Sequence, residues 1–98
     1  MLYLIFYDIS KTSVRTKVAK LLIKGSYERL QLSVFLGNDN PLKLPLLSKQ
    51  LRQLIKEDEL AKFYIIPIPI TSLKNLQHIG KMDLDIDYLC GEKECFFI

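Results

Sequence analysis

The sequence predicts one α+β domain whose elements run strand, helix, two strands or one bent strand, helix, strand. Three observations carry this. Met1–Tyr7 and Glu28–Gly37 are rich in apolar, β-branched and aromatic residues, and a segment of helical periodicity separates them. A second helical stripe, Leu47, Leu51, Leu54 and Ile55, follows a turn signal. The last strand pattern, Lys62–Ile70, contains Pro67 and Pro69. Lying two residues apart, they remove N–H groups from the same side of the strand, so that side cannot be paired in a regular ladder. An edge strand at this position is what a ferredoxin-like βαββαβ sandwich requires of its last core strand.

Met1–Tyr7 is almost uniformly apolar, which predicts a strand buried on both faces and ending at Asp8. Ser10 and Thr12 offer capping oxygens for a first helix. Its apolar stripe is Val14, Val18, Leu21 and Leu22, and Gly25 closes it. In Glu28–Gly37, Leu30, Leu32 and Val34 share one parity, and Ser33 marks either a kink or a tight turn between two short strands. Asn38-Asp39-Asn40-Pro41 is a turn signal, and Pro45 suits the first turn of the second helix. Glu57-Asp58-Glu59 places acid where a helix C-terminus favours base, leaving that boundary loosely defined. Residues 71–98 form an extension that carries an acidic patch, Asp83, Asp85, Asp87, Glu92 and Glu94, and ends Phe96-Phe97-Ile98. An apolar end of this kind needs a dry surface, either its own sheet or the sheet edge of a partner.

Composition narrows the function classes. Ninety-eight residues suit one domain, with the core in residues 1–70. The net charge of +3 is compatible with a polyanionic partner. The opening apolar run is too short to span a bilayer and lacks the flanks of a signal peptide. Cys90 and Cys95 fit neither a disulfide framework nor a zinc signature, and the single histidine, His78, reads as a surface residue. Reduced thiols and the missing leader predict a cytoplasmic protein with no membrane contact. Phosphate-cradling glycine loops and nucleophile elbows are missing from the sequence. Tyr3, Tyr7, Phe35 and Phe63 read as core or interface aromatics.

Two features could carry chemistry. Asp8 stands where an apolar strand emerges into a polar loop, a place that serves equally for a turn-forming aspartate or for a catalytic or metal-binding carboxylate. From Lys11 to Gln31 there are six bases, Lys11, Arg15, Lys17, Lys20, Lys24 and Arg29, against one acid, Glu28. Lys17, Lys20 and Lys24 share one helix flank, which is either a solvated face or a phosphate-contacting one.

Tyr7-Asp8-Ile9 after an apolar strand, the bases Arg15 and Lys17, and Glu28-Arg29-Leu30-Gln31-Leu32-Ser33-Val34-Phe35-Leu36-Gly37 together resemble the CRISPR-associated protein two family. These are small nucleases that partner the CRISPR integrase in spacer acquisition. The resemblance covers most of residues 1–70, and residues 71–98 follow it only in outline. It implies a ferredoxin-like homodimer in which each C-terminal strand pairs with the partner's sheet. It also implies that the two Asp8 carboxylates share a magnesium ion across the twofold axis and act in phosphodiester hydrolysis. By position, Arg15, Lys17, Arg29 and Phe35 match residues sensitive in the family, with Tyr7 and Ser33 as further matches, and Lys11, Arg15, Lys17 and Arg29 are the expected nucleic-acid contacts. Lys17 stands where arginine is common, so charge is kept and bidentate geometry lost. Leu36 stands where a polar or acidic residue is frequent.

The resulting expectation is a magnesium-dependent endonuclease acting on RNA or duplex DNA. The rivals are a non-catalytic adaptor that holds duplex DNA in the integrase complex, and a toxin-type ribonuclease on the same scaffold. Deleting Cys95–Ile98 is expected to weaken the dimer, read as a fall in mass by light scattering. An unchanged mass would argue against strand exchange.

Overall fold

A computed structural model describes residues 1–90. Four strands, β1 (Leu2–Asp8), β2 (Glu28–Gln31), β3 (Val34–Gly37) and β4 (Lys62–Ile68), form one antiparallel sheet in the order β2-β3-β1-β4. Helices α1 (Thr12–Lys24) and α2 (Pro45–Ile55) follow β1 and β3. The fold is ferredoxin-like, with β1 central and β4 at an edge. Pro67 lies in β4 opposite Tyr3, as an edge strand allows, while Pro69 has left the sheet to become the N-cap of a short helix, α3 (Ile70–Lys74).

The main core lies between the helices and one face of the sheet. Ile5 and Tyr7 of β1 and Phe35 of β3 meet Val14, Val18, Ala19 and Leu22 of α1 and Leu51 of α2, with Leu21, Leu47, Leu54 and Ile55 packed around them. Both anticipated stripes therefore face the core. Ile5, Val18, Leu22 and Phe35 are fully buried, each burial stabilising by about 1.5–3 kcal/mol.

Burial of β1 on both faces is only half realised. On the other face Leu2 joins Leu36, Leu73 and Cys90 in a second cluster beneath α3 and a further short helix, α4 (Ile86–Leu89). Towards the Asp8 end this cover stops: Tyr64 and Ile66 of β4 are 49 % and 45 % exposed. A C-terminal strand and the Phe96-Phe97-Ile98 end fall outside the described residues. Within residues 71–90 the expected linker contains α3 and α4.

Ser33 belongs to a turn. Leu32 and Ser33 join β2 to β3, and the ladder slips between Arg29 and Gln31. The slip and the turn break the parity expected of Leu30, Leu32 and Val34, and leave Leu32 79 % exposed. Gly37 is required by close approach, since a Cβ there would lie 2.3 Å from the Tyr27 ring. At the end of α1, Gly25 is the C-cap, but Ser26 takes the left-handed backbone at φ 71°.

The start of α1 differs from expectation. Lys11 occupies the N-cap and makes no side-chain cap bond; Ser10 and Thr12 do not cap. The capping carboxylate comes from Asp58, in the turn after α2, whose Oδ2 accepts from Ser10 N–H at 2.8 Å and Lys11 N–H at 3.0 Å. The acidic triplet thus lies beyond α2 rather than at its end. Asp58 is 5 % exposed, and the Lys11 N–H bond, outweighing burial, holds its carboxyl below the ordinary value of 3.8.

Ser26→Gly should stabilise by roughly 0.5–1 kcal/mol, the relief of left-handed strain less the added unfolded-chain entropy. Gly37→Ala should cost about 1–3 kcal/mol through overpacking against Tyr27; both are read as urea midpoints at constant slope. Because folding lowers the Asp58 pKa, its contribution is complete above the unfolded value and fades as pH falls through the folded one. Asp58→Asn should therefore be less stable at neutral pH and lose less on acidification below about pH 4, measured as urea midpoint against pH. An acid limb as steep as that of the wild type would assign it to other carboxylates.

Candidate active site

Asp8 ends β1 opposite Lys62 of β4. Side chains alternate along a strand, so Asp8 belongs to the face of Leu4 and Phe6, while Tyr7 belongs to the helix-covered face. Asp8 is exposed, and among the described residues its carboxylate has no hydrogen-bond or ion-pair partner. Beside it the Phe6 and Tyr64 rings stack with centroids 4.9 Å apart, and Ile66 extends the same apolar surface.

Three of the other candidate residues, Arg29, Ser33 and Phe35, gather around Tyr7. Its ring stacks between Phe63 and Phe35, with centroids at 5.8 and 6.2 Å. Its N–H donates to Ser33 O at 3.2 Å and its hydroxyl reaches Leu32 O at 3.5 Å. Arg29 Nη2 donates to the same Leu32 carbonyl at 2.7 Å, and its guanidinium lies 5.4 Å from the centre of the Phe35 ring. Burial raises the Tyr7 pKa, opposed by the positive charges of Arg29 and then Arg15. Tyr7, Arg29, Ser33 and Phe35 therefore form one unit that fixes the hairpin turn against the end of β1.

Arg15 and Lys11 hold backbone as well. Arg15 Nη1 donates to Ile9 O at 3.0 Å and Nη2 to Thr12 Oγ1 at 3.2 Å; Lys11 Nζ donates to Glu57 O at 2.7 Å. Lys17 is exposed on α1. With Lys20 and Lys24 it lines one wall of a groove of about 400 Å³ between α1 and α2, facing Gln50, Gln53 and Glu57 over a floor of Leu21 and Leu54. Asp8 and the arginine unit thus share one end of the sheet but lie on opposite faces. His78 is exposed in the loop after α3.

Asp58 and Tyr64 were not singled out by sequence. The acidic triplet past a helix end was the available signal for Asp58; nothing marked Tyr64 beyond its place in a strand. Among the described residues no cluster of three or more His, Cys, Asp or Glu could hold a metal ion. A single free carboxylate nevertheless fits magnesium, which retains waters and is commonly held by one or two carboxylates with substrate phosphate. Among the described residues no helix is long and apolar enough to cross a membrane.

Residues 1–76 match the family model described as CRISPR associated protein Cas2. The chain is 40 % identical over 68 residues to a CRISPR-associated endoribonuclease Cas2 of Archaeoglobus fulgidus, spanning 69 % of this chain and 71 % of that one. A second such endoribonuclease, from Pyrobaculum aerophilum, is 41 % identical over 56 residues, covering 57 % of this chain and 62 % of its own. In structure the chain resembles Streptococcus pyogenes Cas2, with TM-score 0.65 and 23 % identity over 82 % of this chain and all of that one. It also resembles a hypothetical protein of Thermus thermophilus, with TM-score 0.64 and 32 % identity over 85 % of this chain and 94 % of the other. With the matched region spanning the whole sheet, both main helices and Asp8, the chain belongs to the CRISPR associated protein Cas2 family.

Proposed function

We propose that the chain is a magnesium-dependent endonuclease that cuts RNA or duplex DNA, works as a homodimer, and serves spacer acquisition beside the CRISPR integrase. The observation that carries this reading is Asp8: a free, exposed carboxylate at the rim of an uncovered apolar sheet face. Exposed Tyr64 and Ile66 beside Phe6 favour burial against a second copy, and a twofold axis there supplies a second Asp8 without further sequence. The endoribonuclease names of the two curated relatives support the hydrolytic class.

In this reading Asp8 of each protomer would hold the ion. A magnesium ion so held would supply Lewis-acid polarisation of a phosphate and a more acidic water. Lys17, Lys20 and Lys24, exposed along the α1 flank that lines the groove, attract the phosphate backbone without reading sequence. Arg15 and Arg29 keep the loop after Asp8 and the hairpin turn in place through their carbonyl bonds.

A second reading is favoured by the same lysines. Their flank lies on α1, away from the open face that carries Asp8, so a duplex could be held with Asp8 dispensable. The protein would then be a non-catalytic adaptor in the integrase complex.

The deciding experiment compares wild type with Asp8→Ala on labelled single-stranded RNA and duplex DNA, with magnesium or EDTA. Magnesium-dependent cutting that falls at least a hundredfold in Asp8→Ala, with circular dichroism unchanged, is the expected result. No cutting by either protein, with salt-sensitive duplex binding retained, would select the adaptor. In both cases Lys17→Ala should weaken binding evenly across sequences and lower the salt slope by about one.

A further inference from the structure

The segment between Asp8 and α1 is only Ile9, Ser10 and Lys11, and it is gripped from two directions. Ile9 is buried and its carbonyl accepts from Arg15 Nη1 at 3.0 Å. The next two N–H groups both donate to Asp58 Oδ2, at 2.8 and 3.0 Å, while Asp58 Oδ1 accepts from Leu60 N–H at 3.1 Å. Lys11 Nζ closes the ring on Glu57 O at 2.7 Å. One carboxylate thus ties the turn after α2, some 48 residues away in the chain, to the residues that follow Asp8.

A buried aspartate in this place has a local task and a remote one. Its Oδ1 bond to Leu60 N–H is a turn contact within its own loop. The Oδ2 pair is remote, and among the described residues no other side chain accepts from Ser10 or Lys11 N–H. We infer that Asp58 is a positioning residue for the Asp8 centre, setting through Ser10 and Lys11 the exit of the chain from β1 and hence where Asp8 stands. This rests on the nuclease reading above. Asp58 itself touches no nucleic acid, since its oxygens are turned inward on backbone donors.

Asparagine is the discriminating substitution because it keeps the shape and changes the acceptors. Its amide has one oxygen and one NH₂, so whichever way it sits, a backbone N–H that met an oxygen meets a donor. A displaced group near a reacting centre typically costs 10- to 100-fold in rate. The test uses full-length Asp58→Asn and Asp58→Ala, with exposed Glu59→Gln as control, assayed well below their melting temperatures. The expected pattern is kcat lowered about tenfold by Asn and further by Ala, with KM and the salt slope of nucleic-acid binding unchanged. Wild-type kcat in Asp58→Asn would overturn the inference, and so would KM and salt slope changing together with kcat.

A second readout keeps this separate from the nuclease reading. The Asp8 side-chain carboxyl carbon, followed by NMR during titration with magnesium chloride alone, should show weaker magnesium binding in Asp58→Asn than in wild type. If wild type cuts nothing, the nuclease reading falls while this titration still decides. Weakened binding at Asp8 upholds Asp58 as its positioning residue, and unchanged binding, or none at Asp8 in wild type, overturns that role.

Discussion

The arrangement of this protein depends on β1 being hydrogen-bonded along both edges, to β3 through Tyr3–Phe6 and to β4 through Leu2–Asp8. Where it is paired on both sides, over Tyr3–Phe6, the strand cannot rotate or slip without breaking two ladders, so the alternation of side chains along it is settled. Neighbouring residues then face opposite ways. Tyr7 is sunk among Phe35 and Phe63 on the helix side, whereas Asp8 stands on the side where sheet cover has ended. The period of two along one strand divides the candidate residues into two groups, with Asp8 on one face and Tyr7, Arg29 and Phe35 on the other.

That division gives the basic residues different tasks. Arginine presents a planar fork of donors, and here Arg15 and Arg29 spend those donors on the Ile9 and Leu32 carbonyls. Both bonds hold chain leaving or meeting the Asp8 end of β1. Lysine is a strongly hydrated point charge on a flexible stem, and Lys17, Lys20 and Lys24 stand along an exposed flank of α1. Loss of either arginine would therefore disturb loop geometry, whereas the lysines, unpaired among the described residues, present their charge to solvent.

The second face of the sheet shows how a small domain distributes its cover. Leu2 and Leu36 are sealed by Leu73 and Cys90, brought over by α3 and α4. These helices have five and four residues, too short to be stable alone, and they persist because their apolar residues pack on the sheet. The cover reaches one half of the face only. Phe6, Tyr64 and Ile66 remain on the other half, beside the carboxylate the sequence had marked.

Much of this was legible in the linear chain. Alternation and stripes place β1, α1, α2 and β4, because those elements bury a periodic apolar face and periodicity survives in sequence. Pro67 assigns β4 to an edge because a missing N–H is a local fact. Asp8 stands out because a charge ending an apolar run is visible without a structure. The rest depends on contacts between distant residues. Ser33 lies in a turn whose backbone carbonyls are held by Tyr7 N–H and Arg29, contacts that no local pattern encodes. The cap of α1 came from Asp58 rather than Ser10 or Thr12, since a backbone donor takes the strongest acceptor that folding brings near, wherever in the chain it lies. The sequence by itself determined the order of the main strands and helices up to β4 and marked the carboxylate that ends β1. Tertiary structure decided which face each residue occupies and which partner it holds, because neither is a property of any local stretch of chain.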